Sequence, residues 1–152
     1  MKRTVCGIAG LVALGMIAAC SGGGSEASVE NPRTAKFKAI AKANKAIGEE
    51  LKKDGPAIDT IATNARALDD LAKELPGWFP GTSGPEAGMK SEAKSEIWQK
   101  PAEFKAAADK FAAATALLQA AAASGDIAQV KAASAGVGPT CKGCHETFRA
   151  KD

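Results

Sequence analysis

The chain has 152 residues, with 20 basic and 17 acidic side chains, and this length is typical of a single domain. Its 34 alanines, with five phenylalanines, two tryptophans and no tyrosine, favour helices and disfavour an all-β sandwich or barrel. A charged fraction of 24% with both signs excludes an acidic or basic disordered tail protein. Such a helical domain has few large apolar side chains for its interior, which suggests that another group occupies part of it.

The N-terminal segment, residues 1–19, has the pattern of a secretory signal peptide. A basic start precedes an apolar run at 5–19, which is shorter than the ~20 residues of a membrane span. The end of this run and Cys20 resemble a bacterial lipobox, in which the cysteine receives lipid. Residues 20–32 predict a flexible tether for a membrane-anchored domain. The alternative is an ordinary signal peptide cut near Ala19, which would leave Cys20 as an exposed thiol.

Export changes the net charge of the chain. Removal of the leader takes away Lys2 and Arg3, and the mature protein then has 18 basic and 17 acidic residues. A near-neutral chain of this kind indicates neither a nucleic-acid surface nor an acidic partner.

Apolar residues at helical spacing predict four helices. These are expected at residues 33–53, 57–75, 101–124 and 126–150. Two glycines and a proline predict a break or kink near 136–140. The irregular stretch 76–100 carries both tryptophans, so we expect it to be pinned to the core. Short connections between helices of similar length favour an all-α, antiparallel four-helix bundle over residues 33–152.

The motif that carries chemistry is Cys141-Lys142-Gly143-Cys144-His145, a C-x-x-C-H sequence. Two thiols on one helical turn can add across the two vinyl groups of a haem, and the next residue then directs its imidazole at the iron. In an exported chain this pattern predicts one covalent haem c, with its iron. The only histidine of the chain is therefore a candidate metal ligand.

Three other interpretations of the motif were weighed. A zinc site needs four ligands, and this motif supplies three. A thioredoxin-like redox pair expects a βαβ context, which the helical pattern does not provide. A structural disulfide between Cys141 and Cys144 would leave His145 without a role.

The motif near the end of a four-helix chain resembles cytochrome c′ and its low-spin relatives, the class II c-type cytochromes. The resemblance covers residues 33–152. Its matching segments are 137–149, 96–98 with Phe104 six residues on, and 75–80.

This resemblance implies roles for individual residues. His145 would be the proximal iron ligand, and Cys141 and Cys144 would be the thioether anchors. Arg149 matches the family's arginine beside the proximal face of the haem. Arg33 matches an arginine near the haem propionates, and Thr34 follows it where many members have glutamine.

The distal position decides the coordination of the iron. An ungapped count from Arg33 places Phe37 at the family's distal site, where low-spin members carry a ligating methionine. Phenylalanine has no lone pair to donate, so we expect a five-coordinate, high-spin iron that small uncharged diatomics such as NO and CO can reach. A misalignment of one turn would bring Ile40 there, and Ile40 does not ligate either. The other candidate sixth ligands are Met89 and Lys36.

Two functions follow from a haem, and a third does not need one. The first is one-electron transfer in the cell envelope, and the second is a dedicated NO-binding, scavenging or gas-sensing role. The third is a haem-free helical interaction domain on a lipid anchor. We expect no enzyme activity, because no polar pair can be placed over the iron. We expect a periplasmic protein, anchored through Cys20, with an unknown redox partner and a tendency to form homodimers.

Overall fold

The computed structural model describes residues 31–81 and 90–151. Its helices are α1 (Pro32–Glu50), α2 (Ile58–Glu74), a short α3 (Glu96–Gln99), α4 (Pro101–Ser124) and α5 (Ile127–Phe148), with a 3₁₀ turn at Leu75–Trp78. The predicted all-α, four-helix architecture is confirmed by the four long helices. The predicted signal peptide, Cys20 and nearly all of the tether lie outside the described residues.

Each of the four long helices packs on the long helix that is next to it along the chain. α1 packs on α2, α2 on α4, and α4 on α5. Their apolar faces meet in one core, and its fully buried large side chains are Ile47, Ile61, Leu68, Leu118, Val130 and Val137. Within residues 31–81 and 90–151, no helix has the length and apolar character needed to cross a membrane.

Specific residues set the helix ends. Asn31 accepts a hydrogen bond from the Arg33 amide (3.0 Å) before α1, where Pro32 occupies a first-turn position that needs no N–H donor. Asp126 caps α5 by accepting from two backbone amides. Gly125 ends α4 with a left-handed φ of 77°, a conformation that glycine adopts without steric cost.

The ends of three helices differ from the sequence prediction. α1 ends at Glu50, because the carboxylate of Glu50 accepts from the Ala57 amide (3.1 Å) and closes the turn to α2. α2 ends at Glu74 and continues directly into the 3₁₀ turn. α5 ends at Phe148 because Arg149 has an extended backbone and pairs with Ala93.

Of the break or kink predicted near 136–140, the break is wrong. α5 continues through Pro139 without interruption. Proline removes only one backbone donor, and Gly136 and Gly138 lie in open surroundings. The hydroxyl of Thr140 donates to the Val137 carbonyl in the same turn (2.7 Å). The motif residues therefore belong to one continuous helix.

The predicted anchoring of the irregular stretch is confirmed by both tryptophans. Trp78 is buried in the core, 7% exposed. Trp98 is half-buried, and its indole donates to the Pro80 carbonyl (3.2 Å). Four rings contact one another edge-on: Phe79, which follows the 3₁₀ turn, Trp98 of α3, Phe104 of α4 and Phe148 of α5. Aromatic contacts of this kind fix the loop where the core needs large side chains.

Candidate functional site: a cavity lined by the C-x-x-C-H motif

A cavity of about 980 Å³ opens at one end of the bundle, lined mainly by α1, α4 and α5. All seven residues that the sequence predicted for cofactor binding line it. They are Arg33, Thr34, Phe37, Cys141, Cys144, His145 and Arg149. Residues more than 100 positions apart thus converge on one site, while their individual roles toward a haem stay predictions.

The continuous helix α5 brings the motif side chains together. Positions three and four residues apart lie on one face of a helix, so Cys141, Cys144 and His145 all reach the same cavity wall. Both thiols are free and half-buried. Burial raises the pKa of Cys141 and of Cys144, so both are neutral thiols at neutral pH.

The imidazole of His145 is kept neutral by its surroundings. Burial is the largest effect that lowers its pKa, and the positive charge of Arg149 lowers it further, against a smaller opposite effect of Glu92. An imidazole binds a metal only in its neutral form. The site therefore favours the protonation state that iron ligation requires.

Phe37 enters the same cavity from α1. Its ring meets Trp78 edge-on at 5.3 Å between centroids and lies 6.3 Å from Phe79. Lys36, a candidate sixth ligand, lies over the Trp78 ring (4.8 Å) and pairs with Glu74 (3.4 Å), and its ammonium is therefore engaged away from the cavity. Met89, the other candidate, lies outside the described residues.

Arg33 is more buried and makes more contacts within the protein than the sequence indicated. It is 6% exposed, and its guanidinium donates to the Trp78 carbonyl (3.5 Å) and the Ser91 hydroxyl (3.2 Å). The guanidinium also stacks over the Phe79 ring (4.8 Å). Burial lowers its pKa. Arg33 therefore ties Trp78 and Ser91 to α1 while its side chain lines the cavity.

Several other residues line the cavity without having been predicted from the sequence. Glu92 and Ala93 reach the cavity because their segment pairs with the end of α5. Lys38 and Lys90 lie at the cavity wall as well. No helical periodicity covers residues 90–93, so no pattern in the sequence indicates that they lie at the cavity.

The residues present fit a covalently held haem. The wall is largely apolar, with Ile40, Phe104 and Phe111 beside the motif, and a porphyrin needs such surroundings. The small side chains Ala107 and Ala108 of α4 leave space between the helices. Cationic groups suited to carboxylates, Arg33 and Lys38 among them, lie at the same cavity. Among residues 31–81 and 90–151, no group of three or more His, Cys, Asp or Glu side chains is arranged to hold a bare metal ion.

Comparison with known proteins agrees with this arrangement. The sequence model of the family described as Cytochrome C′ matches residues 29–149. Cytochrome c′ of Pararhodospirillum photometricum is 44% identical over 125 residues, which cover 82% of this chain and 97% of the relative. Cytochrome c′ of Rhodospirillum rubrum is 36% identical over 151 residues, or 99% of each chain.

A solved structure shares the fold. The crystal structure of cytochrome c′ from Thermochromatium tepidum matches with a TM-score of 0.71 and 30% identity, over 78% of this chain and 92% of that one. The family model and the relatives extend this similarity from the fold to the sequence. The chain therefore belongs to the cytochrome c′ family, whose members bind a covalently attached c-type haem with its iron.

Proposed function

We propose that the protein is a monohaem cytochrome of the cell envelope that transfers single electrons through a haem bound at Cys141, Cys144 and His145. The observation that carries this proposal is the convergence of these three side chains and Phe37 on one apolar cavity. The haem supplies the redox chemistry, and the protein supplies its attachment, an imidazole ligand and shelter from water. A haem in the interior also provides the core volume that the alanine-rich helices lack.

In this proposal the iron is five-coordinate. His145 provides the proximal ligand from α5. Phe37, which the family resemblance places at the distal site, lines the same cavity, and its ring has no lone pair with which to ligate the iron. The engagement of Lys36 with Glu74 and Trp78 supports an open sixth position.

An open sixth position also supports the binding of NO or CO. The nitrosyl complex of a variant cytochrome c′ from Alcaligenes xylosoxidans, with a TM-score of 0.70 and 28% identity to this chain, is a member of the family with NO bound. The second candidate function is therefore a dedicated NO-binding or gas-sensing role. The haem-free alternative is set aside, since the family carries haem c. Its members act as carriers or gas binders, and we propose no catalytic reaction.

The proposed location is the periplasm, with the lipid anchor at Cys20 that the N-terminal sequence predicts. The proposal also includes a homodimer as one assembly state. A solved cytochrome c′ with a TM-score of 0.71 and 27% identity shows ligand-controlled dimer dissociation. Mass measurement of the membrane-extracted protein tests the lipid, and sedimentation with and without CO tests the dimer.

The attachment is tested on protein exported by a host that matures c-type cytochromes. The denatured wild-type chain is expected to keep its colour and to give the pyridine haemochrome spectrum of a haem with two thioethers. Cys141→Ser with Cys144→Ser is expected to lose all haem on extraction with acidic acetone, whereas the neighbouring Lys142→Gln keeps it. Extractable haem in the wild-type protein would contradict the proposal.

A second measurement separates the two functions. Reversible reduction by dithionite and reoxidation by ferricyanide, one electron per haem, is expected of an electron carrier. A haem that binds NO but does not return to the ferric state in such cycles would favour the gas-binding role.

A further inference from the structure

Glu92 lies beside the end of the helix that carries His145. The segment around it pairs with the residues that follow α5, through hydrogen bonds from the Lys94 amide to the Phe148 carbonyl (3.0 Å) and from the Ala150 amide to the Glu92 carbonyl (2.7 Å). These two bonds flank the antiparallel bridge between Ala93 and Arg149. The backbone of Glu92 is thereby fixed next to Arg149.

The side chains of these two residues form an ion pair at the cavity wall. The carboxylate of Glu92 accepts from the Nε of Arg149 at 2.5 Å. Arg149 lies one turn beyond His145, and its amide donates to the His145 carbonyl (3.1 Å). Glu92, Arg149 and His145 all line the same cavity. The negative charge of Glu92 therefore compensates the positive charge of Arg149 on the side of the cavity where His145, the proposed iron ligand, lies.

Charges at this place act on the iron in opposite directions. Reduction adds one electron to the ferric haem, so a nearby positive charge favours the ferrous state and a negative charge favours the ferric state. An intact ion pair produces little net field, whereas removal of one member exposes the charge of the other. Both side chains are about half exposed, at 46% and 53%, so water and salt reduce the effect.

We propose that Glu92 is a positioning residue of the haem site, which holds Arg149 against the end of α5, compensates its charge and so keeps the reduction potential of the haem low. This inference rests on the proposed function, in which His145 ligates the iron of a haem anchored at Cys141 and Cys144. In this proposal Glu92, a loop residue, shifts the equilibrium between ferric and ferrous haem. In that equilibrium one electron from the reductant converts one ferric haem to one ferrous haem.

The test is a potentiometric titration of the purified haem protein and its variants, with dithionite as reductant and ferricyanide as oxidant. Glu92→Gln is expected to raise the potential, because Arg149 loses its compensating charge. Arg149→Gln is expected to lower it, and the double variant is expected to return close to the wild-type value. Each single change corresponds to roughly a two- to tenfold change in the equilibrium constant for reduction, or about 20–60 mV for one electron.

Two controls separate charge from structure. Glu92→Asp keeps the negative charge and is expected to keep the wild-type potential. Asp109→Asn breaks an exposed ion pair of α4 with Lys105, and neither residue lines the cavity. It is therefore expected to leave the potential unchanged. The shifts of Glu92→Gln and Arg149→Gln are expected to shrink in 1 M salt, since screening acts on exposed charges.

The outcomes are distinguishable. Shifts of the same sign in Glu92→Gln and Arg149→Gln indicate loss of packing alone and overturn the proposal, as does an unchanged potential in both. If the haem is released from the denatured wild-type chain, the attachment itself fails, and the Glu92 proposal fails with it. If the haem is retained but the potential does not respond as stated, the Glu92 proposal alone fails.

Discussion

The ring of Phe37 meets the indole of Trp78 edge-on, with centroids 5.3 Å apart and planes at 89°. Trp78 is buried. The ammonium of Lys36, which precedes Phe37 in α1, lies over the Trp78 ring in a cation–π contact. This arrangement holds Phe37 at the cavity wall from the side of the 3₁₀ turn. A ligand that needs the space of the Phe37 ring must therefore break an aromatic contact.

Removal of the Phe37 ring is expected to strengthen CO binding to the ferrous protein. An edge-on aromatic pair contributes about 0.5–1.5 kcal/mol beyond its buried area. Relief of that cost in Phe37→Ala corresponds to roughly a two- to tenfold gain in affinity. Leu117→Ala, an exposed position of α4, is the control, and CO titration by visible spectroscopy is the measurement. Equal affinities in wild type and Phe37→Ala would show that Phe37 does not limit access.

A thioether at position 37 is expected to change the coordination number. Phe37→Met offers a sulfur lone pair from the same wall of the cavity. Methionine is the ligating residue that the low-spin members carry at this site. The ferric protein is then expected to convert to a six-coordinate, low-spin form, and the ferrous protein is expected to bind CO more slowly than the wild type. Phe37→Leu, which adds no ligand, is expected to keep the wild-type spin state. If both variants keep it, residue 37 does not lie over the iron.

The buried pair between α2 and α4 makes a separate contribution to stability. The hydroxyl of Thr115, which is fully buried, shares its one hydrogen between the carboxylate of Asp69 (3.2 Å) and the Ala112 carbonyl (3.0 Å). Thr115→Val keeps the shape and removes the donor, so it is expected to lower the free energy of unfolding by about 1–3 kcal/mol. Urea unfolding of the haem protein measures this loss. Thr63→Val, at an exposed hydroxyl of α2, is expected to change it by less than about 0.5 kcal/mol, and an equal loss in both variants would contradict the assignment.

The turn between α1 and α2 is expected to weaken in acid. Hydrogen bonds from the Lys53 ammonium and the Ala57 amide lower the pKa of Glu50. A lowered folded-state pKa stabilises the fold above the ordinary value of 4.5, and this stability is lost as the pH falls through the folded-state pKa. The urea midpoint of Glu50→Gln is therefore expected to fall less between pH 5 and 3 than that of the wild type.

The matched control for this acid effect is Glu49→Gln. Glu49 forms an exposed ion pair with Lys45 and does not contact the turn amide. Its acid dependence is expected to follow that of the wild type. If Glu50→Gln loses stability in acid as steeply as Glu49→Gln, the turn carboxylate is not the titrating group.

The sequence predicted the helices and the motif better than it predicted their connections. Helical spacing located the four long helices, and the C-x-x-C-H spacing by itself placed Cys141, Cys144 and His145 on one face. The break expected near Pro139 is absent, although an interior proline removes one backbone donor and crowds the carbonyl of the preceding turn. The local sequence predicted more disruption by Pro139 than the structure shows, because α5 is supported along its length by packing on α4.

The positions of the loop residues at the cavity could not be predicted from the sequence, for a physical reason. Glu92 reaches the cavity because its backbone carbonyl accepts from the Ala150 amide, 58 positions away, and such pairing leaves no periodic pattern. Arg33 was matched to the haem edge by resemblance, but its bonds to Trp78 and Ser91 depend on the path of the chain after α2. Long-range contacts of this kind follow from the tertiary structure and not from the local sequence.

The central claim is a five-coordinate haem iron bound by His145 and covered by Phe37. The most direct test is the electron paramagnetic resonance spectrum of the purified ferric protein at neutral pH. We expect a high-spin signal, because Phe37 at the cavity wall has no lone pair and Lys36, a candidate sixth ligand, is engaged with Glu74 and Trp78. A purely low-spin signal would contradict this account, because it would require a second strong ligand on the distal side.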